Sequence, residues 1–137
     1  MWHHLSVVCG PQRHSVPMDP RVGIGQRGER AAARHLSLRG WVIRAARWRG
    51  ASGGEIDLVA TRGRVLAICE VKVLRHRLRD GDRPVSATQR ARIAAGAEAF
   101  LNAHPQYAEH DVHLDLLLVH PRGGPWRVTH LVRALEW

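Results

Sequence analysis

The chain has 137 residues, a length that fits one domain with a core of its own. Its 21 Lys and Arg outnumber its 12 Asp and Glu, which gives a net charge of +9 and a pI of about 11.4. This excess indicates a polyanionic partner. Nucleic acid is favoured over a membrane, because no apolar run approaches the roughly 20 residues needed to span a bilayer. The start lacks a signal-peptide core and the two cysteines do not suggest a disulfide, so we expect a cytoplasmic location.

Residues 1–19 contain two prolines, three histidines and little periodicity. They are predicted to form a disordered tail, or an over-long start in which Met18 is the true initiator. His3 and His4 could bind a metal, but adjacent histidines in such a tail usually stay hydrated. Residues 20–137 are predicted to form a single nuclease-like domain.

The stretch 23–28 matches G-x-G-x-x-G, a fingerprint of dinucleotide binding. No strand is predicted before it, so a flexible helix entry explains it better. A helix is predicted from about Gly25 to Leu38, with Ala32 and Leu36 on its inward stripe. Glu29 lies on the same side. This carboxylate either points at the sheet or complements the helix dipole, and the pattern favours neither.

A strand is predicted over residues 41–48, with Arg44, Arg47 and Arg49 interleaved. Aromatic residues alternating with Arg suit contact with nucleic acid. They suit a solvated edge strand equally well. Residues 50–54 are predicted to form a flexible loop.

Two apolar segments of strand length organise the chain, 54–60 and 65–73. The second is apolar on both faces until Glu70 and Lys72, which indicates a central strand covered on both sides. Because these two residues are two positions apart, their side chains share one face. They place charge where a buried strand is expected to have none.

The pairing of the two strands depends on the turn between them. With Arg62-Gly63 as a two-residue loop, Glu55 lies across from Glu70 and Asp57 lies diagonal to it. A three-residue loop would place Asp57 on the other face. The two-residue loop therefore gathers carboxylates and one ammonium on one patch of the sheet.

Two interpretations of this patch remain open. The first is a structural set of Glu-Lys and Asp-Arg salt bridges near a strand end, with Glu70 and Lys72 as the first pair. The second is a metal-dependent phosphodiesterase site, in which Asp57 and Glu70 bind Mg²⁺ or Mn²⁺ through oxygen. Lys72 would then orient the attacking water or steady charge on the phosphate. Lys72 is the only lysine in the chain, which favours a specific role for its compact ammonium group.

A basic loop follows Lys72 and begins beside the carboxylates. Its residues Arg75, Arg77 and Arg79 either form a solvated charge run or contact the phosphate backbone. Residues 86–89 form a capping box that starts a second helix, predicted to end near Ala103. The inward residues of that helix are Ile93, Ala97, Phe100 and Leu101, and Gln89, Arg90 and Arg92 lie in its early turns, where an N-terminus could also face phosphate.

A buried strand is predicted over 112–120, and a last strand or short helix over 126–132. His113 and Asp115 alternate on one face of the first of these. The pair could bind zinc, but two ligands without a Cys or a third His are weak evidence.

The order of motifs resembles the YraN family of small bacterial proteins, also called UPF0102. The resemblance rests on Gly28-Glu29, Gly40-Trp41, residues 54–60 and Glu70-Val71-Lys72, and it covers about residues 21–135. It implies the restriction-endonuclease-like fold known as PD-(D/E)xK. It also implies Asp57 and Glu70 as metal ligands, Lys72 as the catalytic lysine and Glu29 as an added acid from the first helix.

Together these observations predict an α/β protein with a mixed sheet flanked by helices, in the order α-β-β-β-α-β with an optional last strand. The predicted function is Mg²⁺-dependent cleavage of nucleic acid, DNA rather than RNA, by an endonuclease-like hydrolase. The alternatives are a binder of the same fold without catalysis, acting in repair or recombination, and a pure protein-interaction domain. The sequence leaves the oligomeric state open, a dimer included.

Overall fold

The computed structural model describes residues 20–51 and 53–135, with side chains described from residue 23. Within these ranges no helix is long and apolar enough to cross a membrane. The predictions about the tail at 1–19, about Met18 as initiator and about His3 and His4 lie outside the described residues. Cys9 also lies outside them, while Cys69 is a buried free thiol.

The described chain contains two α-helices, five strands and one short 3₁₀ helix. In order they are α1 (Pro20–Ser37), β1 (Val42–Arg49), β2 (Glu55–Arg62), β3 (Val65–Val73), α2 (Ala87–Ala103), the 3₁₀ turn (Pro105–Tyr107), β4 (Asp111–His120) and β5 (Arg127–Leu131). The predicted α/β class and element order are confirmed. The segment left open between strand and helix is a strand, β5.

The strands form one mixed sheet in the order β1-β2-β3-β4-β5. Strands β3 and β4 are parallel and are joined through α2, while the other neighbouring pairs are antiparallel. A parallel connection needs a crossover of this kind, because β4 must start at the same end of the sheet as β3. As predicted, β3 is the central strand.

The core has two layers, one on each face of the sheet. On one face α1 packs with Ala32 and Leu36, both fully buried, against residues such as Leu117. On the other face α2 packs with Ile93, Ala97 and Phe100, and its Leu101 is partly buried. The inward stripes predicted for both helices are therefore confirmed, and β3 is covered on both sides.

The predicted register between β2 and β3 is wrong by two residues. Leu58 pairs with Cys69 and Arg62 pairs with Val65, so the turn is Gly63-Arg64. Gly63 has φ +59°, and a two-residue hairpin with glycine at its first loop position satisfies this requirement. Because the error is two residues and not one, the side chains of the paired segment from Leu58 to Arg62 stay on the predicted faces.

The G-x-G-x-x-G stretch lies inside α1 and is not its entry, because the helix starts at Pro20 and not at Gly25. Pro fits a first helical position, where no backbone N–H is needed. Gly28 faces the sheet, and a Cβ there would lie under 3.0 Å from Cγ2 of Val73. The third glycine of the stretch thus permits close packing of the helix on β3. This observation gives the motif a structural explanation.

We predict that Gly28→Ala lowers the free energy of unfolding by about 1–3 kcal/mol, because the stiff Val73 side chain cannot move away from the added methyl group. Chemical denaturation monitored by circular dichroism measures the change.

Gly25→Ala is the matched control, since Gly25 lies in the same helix with nothing within 4 Å of its Cβ position. It should raise stability by about 0.5–1 kcal/mol, as expected for Ala over Gly in a helix. Equal changes of stability in both variants would contradict the packing argument.

Candidate functional site

The site forms where β2 and β3 separate. Their pairing ends at Leu58 and Cys69, whereas β3 continues to pair with β4 as far as Val73. The carboxylate of Asp57 enters the opening, and its Oδ2 accepts the backbone N–H of Val71 at 2.8 Å. A side chain thus replaces the missing strand partner of a part-buried N–H group.

Glu70 shares this opening with Asp57. Burial, followed by the nearby Asp57 charge, raises the pKa of Glu70 to about 7. Burial also raises the pKa of Asp57, although the Val71 N–H and a hydrogen bond from Glu70 oppose the rise. Glu70 therefore keeps its proton up to a higher pH than an exposed glutamate, to about pH 7.

Lys72 and Arg92 bring positive charge to the carboxyl pair. Lys72 follows Glu70 on the α2 face of β3, and its charge lowers the pKa of both carboxyl groups. Arg92 of α2 has the same effect on Glu70. Among the described residues Lys72 makes no ion pair within 4.0 Å. The structure thus does not contain the Glu70–Lys72 salt bridge that the structural interpretation required.

Glu29 projects from α1 toward the same region. Its Oε2 accepts from Nε of Arg47 at 2.6 Å, and burial is the main cause of its raised pKa. Asp57 and Glu55 add negative charge that raises this pKa further. Of the two interpretations of Glu29, the structure therefore favours a carboxylate aimed at the sheet.

Gln26 was missed in the sequence. In the amide orientation that satisfies both groups, its Oε1 accepts from Nη1 and Nη2 of Arg47 at 3.1 and 3.3 Å. Gln26 lies three residues before Glu29, so it occupies the same side of α1. The three-residue spacing to Glu29 was the sequence signal for Gln26. Gln26 also lies inside the G-x-G-x-x-G stretch, which was interpreted through its glycines alone.

Glu55 does not lie across from Glu70, because of the corrected register. It is half exposed at the start of β2 and lies 3.8 Å from Nη2 of Arg49. Its charge still raises the pKa of Asp57. Arg49 therefore lies at the edge of the site.

The remaining predicted basic residues lie in the loop after β3 and in the first turns of α2. Arg75, Arg77 and Arg79 are exposed in the loop after β3, where the backbone N–H of Arg79 donates to Asp82. Arg90 and Arg92 lie in the first turns of α2, which begins with the predicted capping box. Ser86 and Gln89 form both of its hydrogen bonds, at 3.1 and 2.9 Å.

The His113–Asp115 pair does not form a zinc site. Asp115 is fully buried, and its Oδ2 lies 2.6 Å from Nε2 of His130. His113 contacts Asp111 instead, at 3.0 Å. In residues 20–51 and 53–135 no group of three or more His, Cys, Asp or Glu is arranged to hold a metal. Asp57 and Glu70 thus offer two oxygen ligands, and further ligands would have to be backbone, water or substrate.

We predict that Glu70→Gln stabilises the metal-free protein above neutral pH. The folded pKa of about 7 exceeds the ordinary 4.5, so the folded state holds the extra proton between these values. The stability from this group is complete below pH 4.5 and is lost as the pH rises to about 7, at up to about 1.4 kcal/mol per pH unit. Thermal unfolding in chelator should show the variant roughly 1–2 kcal/mol more stable at pH 8, with little difference at pH 4.5.

Glu98→Gln is the control, because it makes the same substitution on the exposed face of α2. Its stability should stay close to that of the wild type at both pH values. Parallel pH curves for the wild type and Glu70→Gln would show that the fold does not hold the extra proton on Glu70.

Comparisons with known proteins agree with the motifs. The profile of "Uncharacterised protein family UPF0102" matches residues 28–119. A UPF0102 protein of Chelativorans sp. (strain BNC1) is 42% identical over 110 residues, which are 80% of this chain and 87% of the relative. UPF0102 protein bll0669 of Bradyrhizobium diazoefficiens is 40% identical over 116 residues, 85% and 82% of the two chains. The resemblance to the YraN family is confirmed, and the chain belongs to the uncharacterised protein family UPF0102.

Proposed function

We propose that this protein is a metal-dependent nuclease with a restriction-endonuclease-like core, and that it hydrolyses phosphodiester bonds in nucleic acid, DNA rather than RNA. One observation carries the proposal. Two neighbouring carboxyl groups, Asp57 and Glu70, occupy the gap between diverging strands, where Asp57 accepts the Val71 N–H, and Lys72 follows on the same face as Glu70. The α-β-β-β-α-β-β order around a mixed sheet supports the fold assignment.

Asp57 and Glu70 fit a hard divalent cation, Mg²⁺ or Mn²⁺. Their donors are all oxygen, and burial together with the neighbouring Asp57 charge raises the pKa of Glu70, a cost that a bound cation would remove. When bound, the ion supplies positive charge that stabilises the charge developing on the phosphate. Glu70 would have to release its proton to become a ligand beside Asp57, so metal binding should tighten as the pH rises.

The chain's own groups have separate tasks in hydrolysis. The Val71 N–H fixes the orientation of the Asp57 carboxylate, so this side chain needs no change of rotamer to act as a ligand. Lys72 orients the attacking water or stabilises negative charge on the phosphate. The water loses one proton as its oxygen bonds to phosphorus, the bond from phosphorus to one ester oxygen breaks, and the leaving oxygen takes up one proton.

A second candidate is a nucleic-acid-binding protein of the same fold without catalysis. The charge of +9 and the exposed arginines of the loop at 75–83 favour this reading. These features support phosphate contact whether or not a bond is cleaved. Catalysis and binding therefore need separate tests.

We predict that the wild type cleaves at least one member of a panel of labelled DNA and RNA structures with Mg²⁺ or Mn²⁺. Asp57→Asn and Glu70→Gln should each abolish metal binding by calorimetry and cleavage by gel assay. Lys72→Arg should fold and bind nucleic acid about as well, yet lose at least about 100-fold in cleavage, because guanidinium is planar and bulkier than ammonium.

The Asp57→Asn protein, purified in parallel, controls for contaminating nuclease. Equal cleavage by the wild type and Lys72→Arg would remove the specific role of the lysine. Tight metal binding by both carboxyl variants would rule the site out. Binding without cleavage across the whole panel would establish the second candidate in place of the first.

We predict a linear fall of log affinity with log salt concentration, with a slope of about 0.9 for each duplex phosphate contacted. Replacing Arg75, Arg77 and Arg79 by Gln should flatten this slope, which fluorescence anisotropy measures. Replacing Arg30, Arg34 and Arg64, three exposed arginines outside the loop, removes the same charge and is the control. Equal slopes for both triple variants would place the phosphate contacts elsewhere.

A further inference from the structure

Arg47 has a left-handed backbone in β1, opposite Asp57 of β2. Its φ is +52°, and Arg133 is the other non-glycine residue with positive φ in the described part of the chain. Side chains with a Cβ rarely adopt this conformation, and it persists only where the surroundings hold it. In β1 such a residue interrupts the regular alternation of side chains. Contacts around Arg47 must therefore stabilise its left-handed backbone, and this backbone in turn changes the course of β1.

The consequence is visible in both strands. Ala46 and Leu58 pair with each other and pack on the α1 face, while Trp48 and Ile56 pair and pack on the α2 face. Residues two apart on a regular strand share a face. Here they do not, so the alternation breaks in both strands at the intervening position. That position is occupied by Arg47 in β1 and by Asp57 in β2.

The break coincides with the placement of Asp57 in the gap. Where alternation is regular, from Leu58 to Arg62, β2 pairs with β3 through its backbone. At Asp57 the pairing stops, and the carboxylate takes its place by accepting the Val71 N–H. The break in alternation at Arg47 and the break at Asp57 lie opposite each other in paired strands. The orientation of Asp57 thus depends on the backbone conformation of Arg47.

The cause lies in α1. Glu29 accepts from Nε of Arg47 at 2.6 Å, and Gln26 accepts from Nη1 and Nη2. Three guanidinium nitrogens are therefore bonded to one side of the helix. A charge-assisted hydrogen bond to a partly buried carboxylate is among the stronger side-chain interactions. It offsets the cost of the left-handed backbone.

From this geometry we infer that Arg47 is a positioning residue. The α1 clamp, defined as Gln26 and Glu29, holds Arg47 in its left-handed conformation, and that conformation places the Asp57 carboxylate between β2 and β3. Arg47 acts through Asp57 and its guanidinium is engaged by the helix, so its main task is not phosphate contact. The consequence for catalysis rests on the function proposed above, whereas the placement of Asp57 does not.

The test measures hydrogen exchange of the Val71 amide by NMR in the metal-free full chain. Arg47→Ala loses the clamp and keeps the cost of a Cβ, so exchange at Val71 should accelerate about tenfold, which corresponds to about 1.4 kcal/mol of strain. Arg47→Gly also loses the clamp but adopts positive φ freely, so it should retain most of the protection. The Phe100 amide in α2 is the internal reference.

A second pair of variants tests the clamp itself. Gln26→Ala should accelerate Val71 exchange when residue 47 is Arg and should have no effect when it is Gly. A calorimetric titration with Mn²⁺ should give the same ranking, with Arg47→Ala weaker than Arg47→Gly. If Arg47→Ala does not fold, Arg47→Asn is compared with Arg47→Gly instead. Because Asn also tolerates the left-handed region, both variants should retain the same protection of the Val71 amide. Loss of protection in both would overturn the inference.

Unchanged exchange at Val71 in Arg47→Ala would overturn the inference. Equal acceleration in Arg47→Ala and Arg47→Gly would overturn it as well, because the left-handed backbone would then not matter. These readouts need neither nucleic acid nor turnover. A protein that cleaves no substrate but shows the predicted exchange pattern would refute the proposed nuclease and leave the role of Arg47 standing.

Discussion

The structure depends on one electrostatic constraint, the burial of two carboxyl groups where β2 and β3 separate. A buried carboxylate is costly unless it is hydrogen-bonded, paired or bound to a cation. Asp57 satisfies part of this requirement through the Val71 N–H, and Glu70 satisfies part of it by keeping a proton. The strands could close this gap with backbone hydrogen bonds, as they do one residue later. At the open end of the hairpin, Asp57 therefore stands in for the missing strand partner of Val71, while the burial of Glu70 carries a cost that its proton limits.

The two helices approach this end of the sheet from opposite faces, and glycine permits both approaches. Gly28 lets α1 pack directly on Val73, next to the end of β3. On the other face, a Cβ on Gly54 would lie 3.0 Å from the Cα of Gly96 in α2. Each close contact brings charged side chains to the site, Glu29 from α1 and Arg92 from α2. The close packing of both helices at these glycines thus brings the charged side chains to the site.

Much of the fold followed from local patterns because those patterns are physically strong. The apolar run of β3, the capping box at Ser86 and the inward stripe of α2 were all located correctly. The turn after β2 was misplaced, because Arg-Gly and Gly-Arg loops differ only in which position needs positive φ. The left-handed Arg47 could not be predicted, since it results from a tertiary contact with α1 that no local pattern encodes. The carboxyl pair was found because Asp57 and Glu70 interrupt two apolar strand patterns. Gln26 was missed because its role depends on the same tertiary contact with Arg47.

The charge distribution also separates the two candidate functions. Burial, followed by the charges of Asp57 and Glu55, raises the pKa of Glu29, and burial together with the charge of Glu55 raises the pKa of Asp57, so the site is acidic within a basic chain. For a protein that only binds phosphates, buried carboxylates at the middle of the basic surface would repel the ligand and weaken binding. For a nuclease the same acids attract a divalent cation, and the cation removes both the internal repulsion and the repulsion of phosphate. The acidic centre is therefore a cost under the binding-only reading and a requirement under the catalytic one.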